Sequence, residues 1–285
     1  GNKYTGTGPF TQADLDAIIA ANNNEAAGTA AYVAPEENTS IELGMKGLFL
    51  DGTLQLFAAL FSTEYTDLQV TSNVVTNTGA DLLRKTNAGK ATINGLELEA
   101  RWLVTENGEF SGSMSVLDAT YDEFLTTDSK YGRDGLAFNP SAGNPALPNL
   151  LDFSGNHLVM APEFSTSVNY EHFVGLESGA TLKPRIRVGY TSEVWFDPAN
   201  RGDRPKGFKN LPYAADIDRQ DAYTKVDLSL TFEPSEGNWS TEAFINNVTD
   251  RDIKSDQGRT HGDAVPNFMW QAPRTFGVRF NVAFE

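Results

Sequence analysis

The sequence predicts an all-β protein, namely an antiparallel transmembrane β-barrel. Three observations predict this fold: apolar and polar residues alternate along long segments, short and long connections alternate between the segments, and aromatic residues lie near the segment ends. The chain has 285 residues, of which 40% are hydrophobic and 11% are aromatic. This composition excludes a wholly disordered chain, because it provides enough apolar surface for folding.

The alternation predicts nine strands. It is clearest in residues 181–197, where Ile186 and Val188 share one side of the strand while Arg185 and Arg187 share the other. Several segments are longer than the roughly 5–6 residues of an ordinary strand and reach the roughly 9–11 residues that cross a bilayer. The predicted strands are residues 39–50, 53–72, 90–105, 109–127, 157–174, 181–197, 220–233, 239–251 and 272–284.

The connections between the predicted strands differ in length in a regular way. Short connections with turn-forming residues fall at 51–52, 106–108, 175–180 and 234–238, and long ones fall near 73–89, 128–156, 198–219 and 252–271. Transmembrane barrels have short turns at one end and long loops at the other, whereas a soluble sandwich would carry mixed loops at both ends. The pattern therefore favours the transmembrane barrel.

Aromatic placement supports the same choice. Alternation alone also fits a soluble β-sandwich, whose apolar face would point inward. Aromatic side chains near the strand ends are typical of the interfacial girdles of membrane barrels. The residues concerned are Tyr65, Trp102, Tyr121, Tyr170, Phe173, Trp195, Phe196 and Trp239.

Charge and composition exclude several functions. The chain carries 22 basic and 38 acidic residues, and a net charge of −16 disfavours a nucleic-acid partner. It contains no cysteine, which removes disulfides, thiolate zinc sites and cysteine nucleophiles. No apolar run approaches the roughly 18 residues of a transmembrane helix. No dinucleotide fingerprint, phosphate loop or nucleophile elbow is present, so we expect no enzyme, no catalytic residue and no cofactor.

The sequence offers little for metal binding. Its three histidines are widely separated and lack the spacing of a metal site. Asp216, Asp218 and Asp221 form an acidic cluster that provides oxygen ligands suited to calcium, but a solvated acidic loop is the favoured interpretation. We therefore predict no metal site.

Several local strings lie within the predicted strands or in the turns beside them. They are Ile41-Glu42-Leu43-Gly44-Met45-Lys46 followed by Asp51-Gly52, Asn87-Ala88-Gly89 with Gly95-Leu96-Glu97-Leu98-Glu99, Asn247-Val248-Thr249-Asp250, and Pro273-Arg274-Thr275-Phe276. In their order and spacing these strings resemble the C-terminal half of TonB-dependent outer-membrane receptors. The resemblance covers nearly the whole chain from about residue 36 onward.

The resemblance implies a 22-stranded barrel with an N-terminal plug, of which this chain supplies about nine C-terminal strands. We expect residues 1–37 to form an extracellular loop region and residues 38–285 to form the C-terminal part of the barrel. The plug and the earlier strands would lie outside the chain. Within the first region, apolar spacing predicts a short helix at residues 12–22.

The resemblance also implies a function. The protein would be a multi-pass receptor in the outer membrane of a Gram-negative bacterium, and would actively take up a scarce nutrient such as a ferric siderophore. Its partners would be outer-membrane lipid, a TonB-type energy-coupling protein acting through the missing N-terminal region, and a small molecule such as a metal chelate. Two alternatives stay open, a passive porin-like barrel and a soluble carbohydrate-binding β-sandwich.

Two sets of residues are candidates for the site. Extracellular loops carry recognition on such scaffolds, and the candidates that would face the substrate are Trp195, Phe196, Arg201, Arg204, Arg133 and His261. The candidates that would face the barrel lumen are Lys183, Arg185, Arg187, Glu97 and Glu99. The three basic residues would attract an anionic substrate or pair with the plug, but the favoured interpretation is salt-bridging to Glu97, Glu99 or Asp227.

Overall fold

The computed structural model describes residues 35–75, 81–87, 89–127, 150–198, 200, 219–258 and 267–284. Strands are the only regular secondary structure among the described residues, and they define the fold. They are β1 (Glu37–Phe49), β2 (Leu54–Thr66), β3 (Gln69–Val75), β4 (Asp81–Asn87), β5 (Gly89–Thr105), β6 (Gly108–Thr127), β7 (Leu150–Asp152), β8 (Phe164–His172), β9 (Val174–Gly175), β10 (Thr181–Thr191), β11 (Val194–Trp195), β12 (Arg219–Gln220), β13 (Tyr223–Glu233), β14 (Trp239–Asn246), β15 (Lys254–Gly258), β16 (Asn267–Trp270) and β17 (Thr275–Val282).

Nine of these strands form one antiparallel sheet in the order β1-β2-β5-β6-β8-β10-β13-β14-β17, with β7 attached to β6 and β9 attached to β10. Each long strand pairs with the next long strand along the chain, so the sheet is a meander that is not closed within the described residues. The prediction of nine barrel strands is confirmed. The largest difference in bounds is at β8, which begins at Phe164 rather than at residue 157.

The two ends of the sheet differ, as the connection lengths predicted. Residues 50–53, 106–107, 173–180 and 234–238 connect strands at one end, which we call the turn end. The long connections lie at the opposite end, which we call the loop end. Three additional strand pairs, β3-β4, β11-β12 and β15-β16, extend into the long connections, and the sequence analysis did not predict them as separate sheets.

No described stretch of the chain forms a helix of the length and apolarity needed to cross a membrane.

One face of the sheet, which we call the apolar face, is continuous across all nine strands. One row of it runs from Leu98 through Met114, while a neighbouring row crosses from Val168 through Val188 to Val226. Several hydrophobic side chains of this face are exposed, and Val168 in the middle of the sheet is 45% exposed. Such a face disfavours the soluble β-sandwich, which requires its apolar face to be packed.

Aromatic residues follow the apolar face at the turn end. The rings of Phe110 and Tyr170 lie 4.7 Å apart, and those of Trp239 and Phe280 lie 5.4 Å apart. Trp102 is placed next to Phe110 by the pairing of β5 with β6. This row agrees with the girdle predicted from Trp102, Tyr170 and Trp239.

The predicted girdle was wrong at Tyr65 and Tyr121. These residues lie on the opposite face at the loop end, where Tyr121 is 5% exposed in a buried cluster and Tyr65 packs against it. Ala91, Phe124 and Phe153 complete the cluster, and the Phe124 and Phe153 rings meet edge to face at 5.2 Å. Their aromatic character therefore serves packing above the sheet rather than contact with a membrane interface.

Two backbone features interrupt the regular ladder. Gly89 has a φ of +154°, and a Cβ there would lie 1.6 Å from the Glu123 carbonyl oxygen, so only glycine fits at the start of β5. Pro184 lies inside β10, where proline cannot donate a ladder hydrogen bond. Opposite Pro184 the pairing passes from β8 to β9, with His172 and Phe173 at the break.

Candidate functional site

The face opposite the apolar face carries the charges, and we call it the charged face. Strand register places the following residues on it: Glu42, Lys46, Glu97, Glu99, Arg101, Glu109, Glu171, Lys183, Arg185, Arg187, Lys225, Asp227, Glu233, Glu242 and Arg279. All five residues predicted to face the lumen share this face because side chains two apart on a strand point the same way.

The basic ladder on β10 has local partners. Lys183 Nζ lies 2.6 Å from a Glu233 carboxylate oxygen on β13. Arg185 lies 3.6 Å from Glu242 on β14, and Arg187 Nε donates to the Ser167 hydroxyl at 3.1 Å. The partners favoured from sequence were Glu97, Glu99 or Asp227. Glu97 and Glu99 are out of reach because β6 and β8 lie between β10 and their strand, whereas Asp227 lies directly opposite Arg187 on β13.

Glu242 is the centre of the densest charge cluster on this face. It is 9% exposed and contacts Arg185 on one side and Arg279 on the other. The Arg279 guanidinium also lies over the Phe244 ring, 5.3 Å from its centroid. One carboxylate therefore holds two guanidiniums, and the cluster keeps a net positive charge. Its arginines are half-exposed and have further N–H donors for a group in front of the face.

The other predicted lumenal residues, Glu97 and Glu99, lie on β5 opposite Ser115 and Ser113 of β6. Neither glutamate has an ion-pair partner among the residues that the structure describes. Glu99 lines a depression of about 450 Å³ together with Lys46, Gln55, Phe57 and Arg101. Arg101 is held by Glu109 through two hydrogen bonds of 2.7 and 2.8 Å.

At the loop end, Trp195 belongs to a cluster that joins three segments. The Arg219 guanidinium lies 5.7 Å from the centroid of the Trp195 ring and pairs with Glu193 at 2.8 Å. Lys254 lies 5.1 Å from the centroid of the Phe268 ring. Its backbone N–H donates to Gln220 at 2.8 Å, which ties β15 to β12.

The remaining substrate candidates are only partly placed. Phe196 follows Trp195 and is half-buried. The predicted residues Arg133, Arg201, Arg204 and His261 lie outside the described residues, as do the predicted helix at 12–22 and the two acidic residues Asp216 and Asp218. Asp221 is described, and its carboxylate lies 3.2 Å from the Arg219 guanidinium.

Tyr121 and His157 show how a long connection is anchored at the loop end. Tyr121 lies on β6 beyond Val116, the last hydrophobic residue of that strand on the apolar face. Burial raises the pKa of Tyr121 to about 12, the Asp197 carboxylate acts in the same direction, and a backbone hydrogen bond at Val159 opposes both. The backbone N–H of His157 donates to the Asn200 side-chain oxygen at 2.6 Å, which joins this connection to the next one.

Comparison with known proteins decides the family. Residues 3–248 match the family model described as TonB dependent receptor-like, beta-barrel. The chain belongs to this TonB-dependent receptor family. The resemblance inferred from the strings at residues 41–52, 87–99 and 247–250 is therefore confirmed.

Individual relatives agree with the family. The chain is 24% identical over 249 residues to the pesticin receptor of Yersinia pestis, which covers 87% of this chain and 29% of that protein. The solved structure of the ferric yersiniabactin uptake receptor FyuA from Yersinia pestis matches with a TM-score of 0.61 and 20% identity, over 88% of this chain and 30% of that one. The ferripyoverdine receptor of the outer membrane of Pseudomonas aeruginosa matches with a TM-score of 0.52 and 15% identity, over 88% and 27%.

The chain thus spans less than a third of the length of these relatives. At these identities the structural matches show the fold alone, which is that of a TonB-dependent receptor barrel. The family consists of receptors rather than enzymes.

Sequence reasoning missed Glu242, Arg279, Arg219 and Lys254. Alternation along β14 and β17 already placed Glu242 and Arg279 on the polar side of their strands. The missing information was the register, which brings these residues together across neighbouring strands.

Proposed function

We propose that this chain is part of the wall of an active-transport receptor in the outer membrane of a Gram-negative bacterium. The receptor takes up a scarce nutrient, and a ferric siderophore is the favoured substrate. A TonB-type protein supplies the energy through a part of the receptor outside this chain. The proposal includes the division into an extracellular loop region at residues 1–37 and a barrel region at residues 38–285.

The observation that carries this proposal is the contrast between the two faces of the sheet. The apolar face is exposed across nine strands, which suits contact with lipid, because a barrel in a membrane is apolar outside. The charged face is then the lumenal wall, which suits the assignment of Lys183, Arg185, Arg187, Glu97 and Glu99 as lumen-facing. The names of the relatives, among them an uptake receptor for ferric yersiniabactin, support the choice of a ferric siderophore.

Substrate recognition is assigned to the loop end. Trp195 and Phe196 lie there and support this assignment, and Arg201, Arg204, Arg133 and His261 remain candidates by sequence. Lys254 adds a cationic group over the Phe268 ring, and Arg219 lies over the Trp195 ring while it pairs with Glu193 and Asp221. Cations beside aromatic surfaces suit an anionic metal chelate, because they supply both charge and flat apolar contact.

Uptake of radioactive iron tests the proposal. The gene for the complete receptor is deleted and restored in a bacterium that makes no siderophore of its own, and a panel of ferric siderophores is supplied with and without TonB. We expect one of them to be accumulated only when both the receptor and TonB are present. Accumulation that persists without TonB would instead support the passive porin-like barrel, and accumulation of none would reject the ferric siderophore.

A matched pair of variants tests the recognition residues. Trp195→Ala at the loop end should raise the substrate concentration needed for half-maximal uptake by about tenfold, the effect of about 1.4 kcal/mol of lost binding. Trp239→Ala at the turn end removes the same side chain far from the loops and should leave that concentration unchanged. Equal effects of the two variants would contradict recognition at the loop end.

A further inference from the structure

A groove of about 670 Å³ crosses the apolar face from the turn end of β8 to the first residues of β17, which adjoin the loop end. Its walls include Ile186, Leu228, Ile245 and Phe276. Two short side chains, Pro184 and Ala243, lie among these large ones. The groove is therefore a depression in the apolar surface where short side chains replace long ones.

Pro184 accounts for the position of the groove. As a proline inside a central strand, it leaves one ladder donor missing, and the neighbouring chain passes from β8 to β9 at this level. Phe173, at the break, donates its N–H to the Asn107 carbonyl at 2.7 Å instead of joining a strand. The wall is thus locally irregular where the groove lies, and the adjacent rows on either side are regular.

The groove has one polar end. The Tyr170 hydroxyl and His172 Nδ1 lie 3.0 Å apart, and both residues line the groove. The Tyr170 hydroxyl points toward the turn end, because a Cβ on Gly108, the first residue of β6, would lie 2.8 Å from it. The hydroxyl–imidazole pair therefore lies at the level of the turn-end aromatic row, and the apolar part of the groove begins beside it.

We propose that this groove binds one acyl chain of a phospholipid, with the lipid headgroup region at Tyr170 and His172. This inference rests on the proposed function only in placing the apolar face in lipid. The groove opens onto that face and is continuous with it, so bilayer lipid is the occupant that reaches it. A hydroxyl and an imidazole at the membrane interface suit the ester and phosphate oxygens of a phospholipid, because they donate hydrogen bonds at that level.

Native mass spectrometry of the complete receptor tests this proposal. The receptor, purified in detergent, is titrated with palmitoyl-oleoyl phosphatidylethanolamine, and the lipid that remains bound is measured as collision energy is raised. We expect one lipid to survive at energies that strip the others. Ala243→Phe should lower its apparent affinity by about tenfold, because the larger side chain displaces about two methylene groups. Ala58→Phe places the same ring on the same face outside the groove and should change nothing.

Two further measurements keep the test decisive. Heat-dependent migration on gels shows whether each variant is folded. If Ala243→Phe does not fold, Ala243→Val fills the groove with a smaller side chain and replaces it in the test. Tyr170→Phe keeps the ring but removes the hydroxyl, and it should weaken retention while leaving the fold intact. Loss of all lipids at one energy, or equal retention by the Ala243 and Ala58 variants, would overturn the proposal. Neither result depends on transport, so failure of uptake would be a separate finding.

Discussion

The assignment of the apolar face to lipid predicts a large cost for one charge at Val168. This residue is at the middle of β8, four residues from either end of the strand. At about 3.3 Å per residue, it is about 13 Å of strand from each end. With the roughly 45° tilt of membrane strands, this distance is about 9 Å of membrane depth. Val168 therefore lies near the bilayer midplane.

Val168→Lys should destabilise the folded barrel by about 2–4 kcal/mol, the cost of lysine on the lipid face at the midplane. The cost comes from the charge rather than from lost packing, because Val168 is already 45% exposed. The ratio of folded to unfolded protein should fall by about 30- to 700-fold. Guanidinium unfolding of the complete receptor in phospholipid vesicles, followed by tryptophan fluorescence, measures this shift through the midpoint and slope.

Ser165→Lys is the matched control on the same strand. Ser165 lies on the charged face, opposite Ser115 of β6, which in turn lies opposite Glu97 of β5. A lysine there would face water and a carboxylate two strands away, so we expect the free energy of unfolding to change by less than about 1 kcal/mol. The reasoning would be refuted if Val168→Lys were neutral, or if Ser165→Lys cost as much as Val168→Lys.

Three further predictions concern single side chains. Glu242→Gln should destabilise the barrel by about 1–2 kcal/mol because two half-exposed guanidiniums lose their shared carboxylate, and adding Arg279→Gln should recover part of this loss in a double-mutant cycle. Gly89→Ala should cost at least about 2 kcal/mol by chemical unfolding, because its Cβ would meet a backbone carbonyl, whereas Gly175→Ala has open space and should cost less than about 1 kcal/mol. The phenol of Tyr121 is protonated below about pH 10 in both the folded and the unfolded protein. Because folding raises its pKa to about 12, the stabilisation that it contributes is present below about pH 10 and is lost as the pH rises from about 10 to 12. Tyr121→Phe should therefore flatten the fall in the free energy of unfolding over this pH range.

Each of these predictions has a contrary result. Full additivity of the Glu242 and Arg279 substitutions would show that the two residues do not interact. Equal costs for the two glycine variants would show that the close approach at Gly89 is relieved elsewhere. An unchanged alkaline profile in Tyr121→Phe would show that this phenol does not titrate near pH 12.

Sequence periodicity was sufficient to predict the nine barrel strands because each strand is long and has one apolar side. The strand β13 illustrates this, since its alternating residues predict its faces correctly and its bounds to within three positions. The same reasoning failed at Tyr65 and Tyr121. An aromatic residue at a strand end fits either a membrane interface or a packed cluster, and the parity of its position, rather than its type, decides between them.

The pairing of the charged residues could not be predicted from alternation. Lys183, Arg185 and Arg187 were expected to pair with Glu97, Glu99 or Asp227, but the ion pairs of Lys183 and Arg185 are with Glu233 and Glu242. Register and strand order decide which charges meet, and neither is encoded in the alternation of a single strand. The hairpins β3-β4 and β15-β16 were missed for a related reason, because short strands inside long polar connections have too few residues to show a period.

The most direct test of the central claim is a spin-label scan along β13. The chain has no cysteine, so single cysteines at positions 224–232 can be introduced without other labelled sites in this segment. Each label in the complete receptor is measured for collision with oxygen, which is concentrated in lipid, and with a water-soluble nickel chelate. We predict that labels at 226, 228 and 230 favour oxygen and that labels at 227, 229 and 231 favour the chelate. Equal access of the chelate to both sets would contradict a membrane wall with one lipid-facing side.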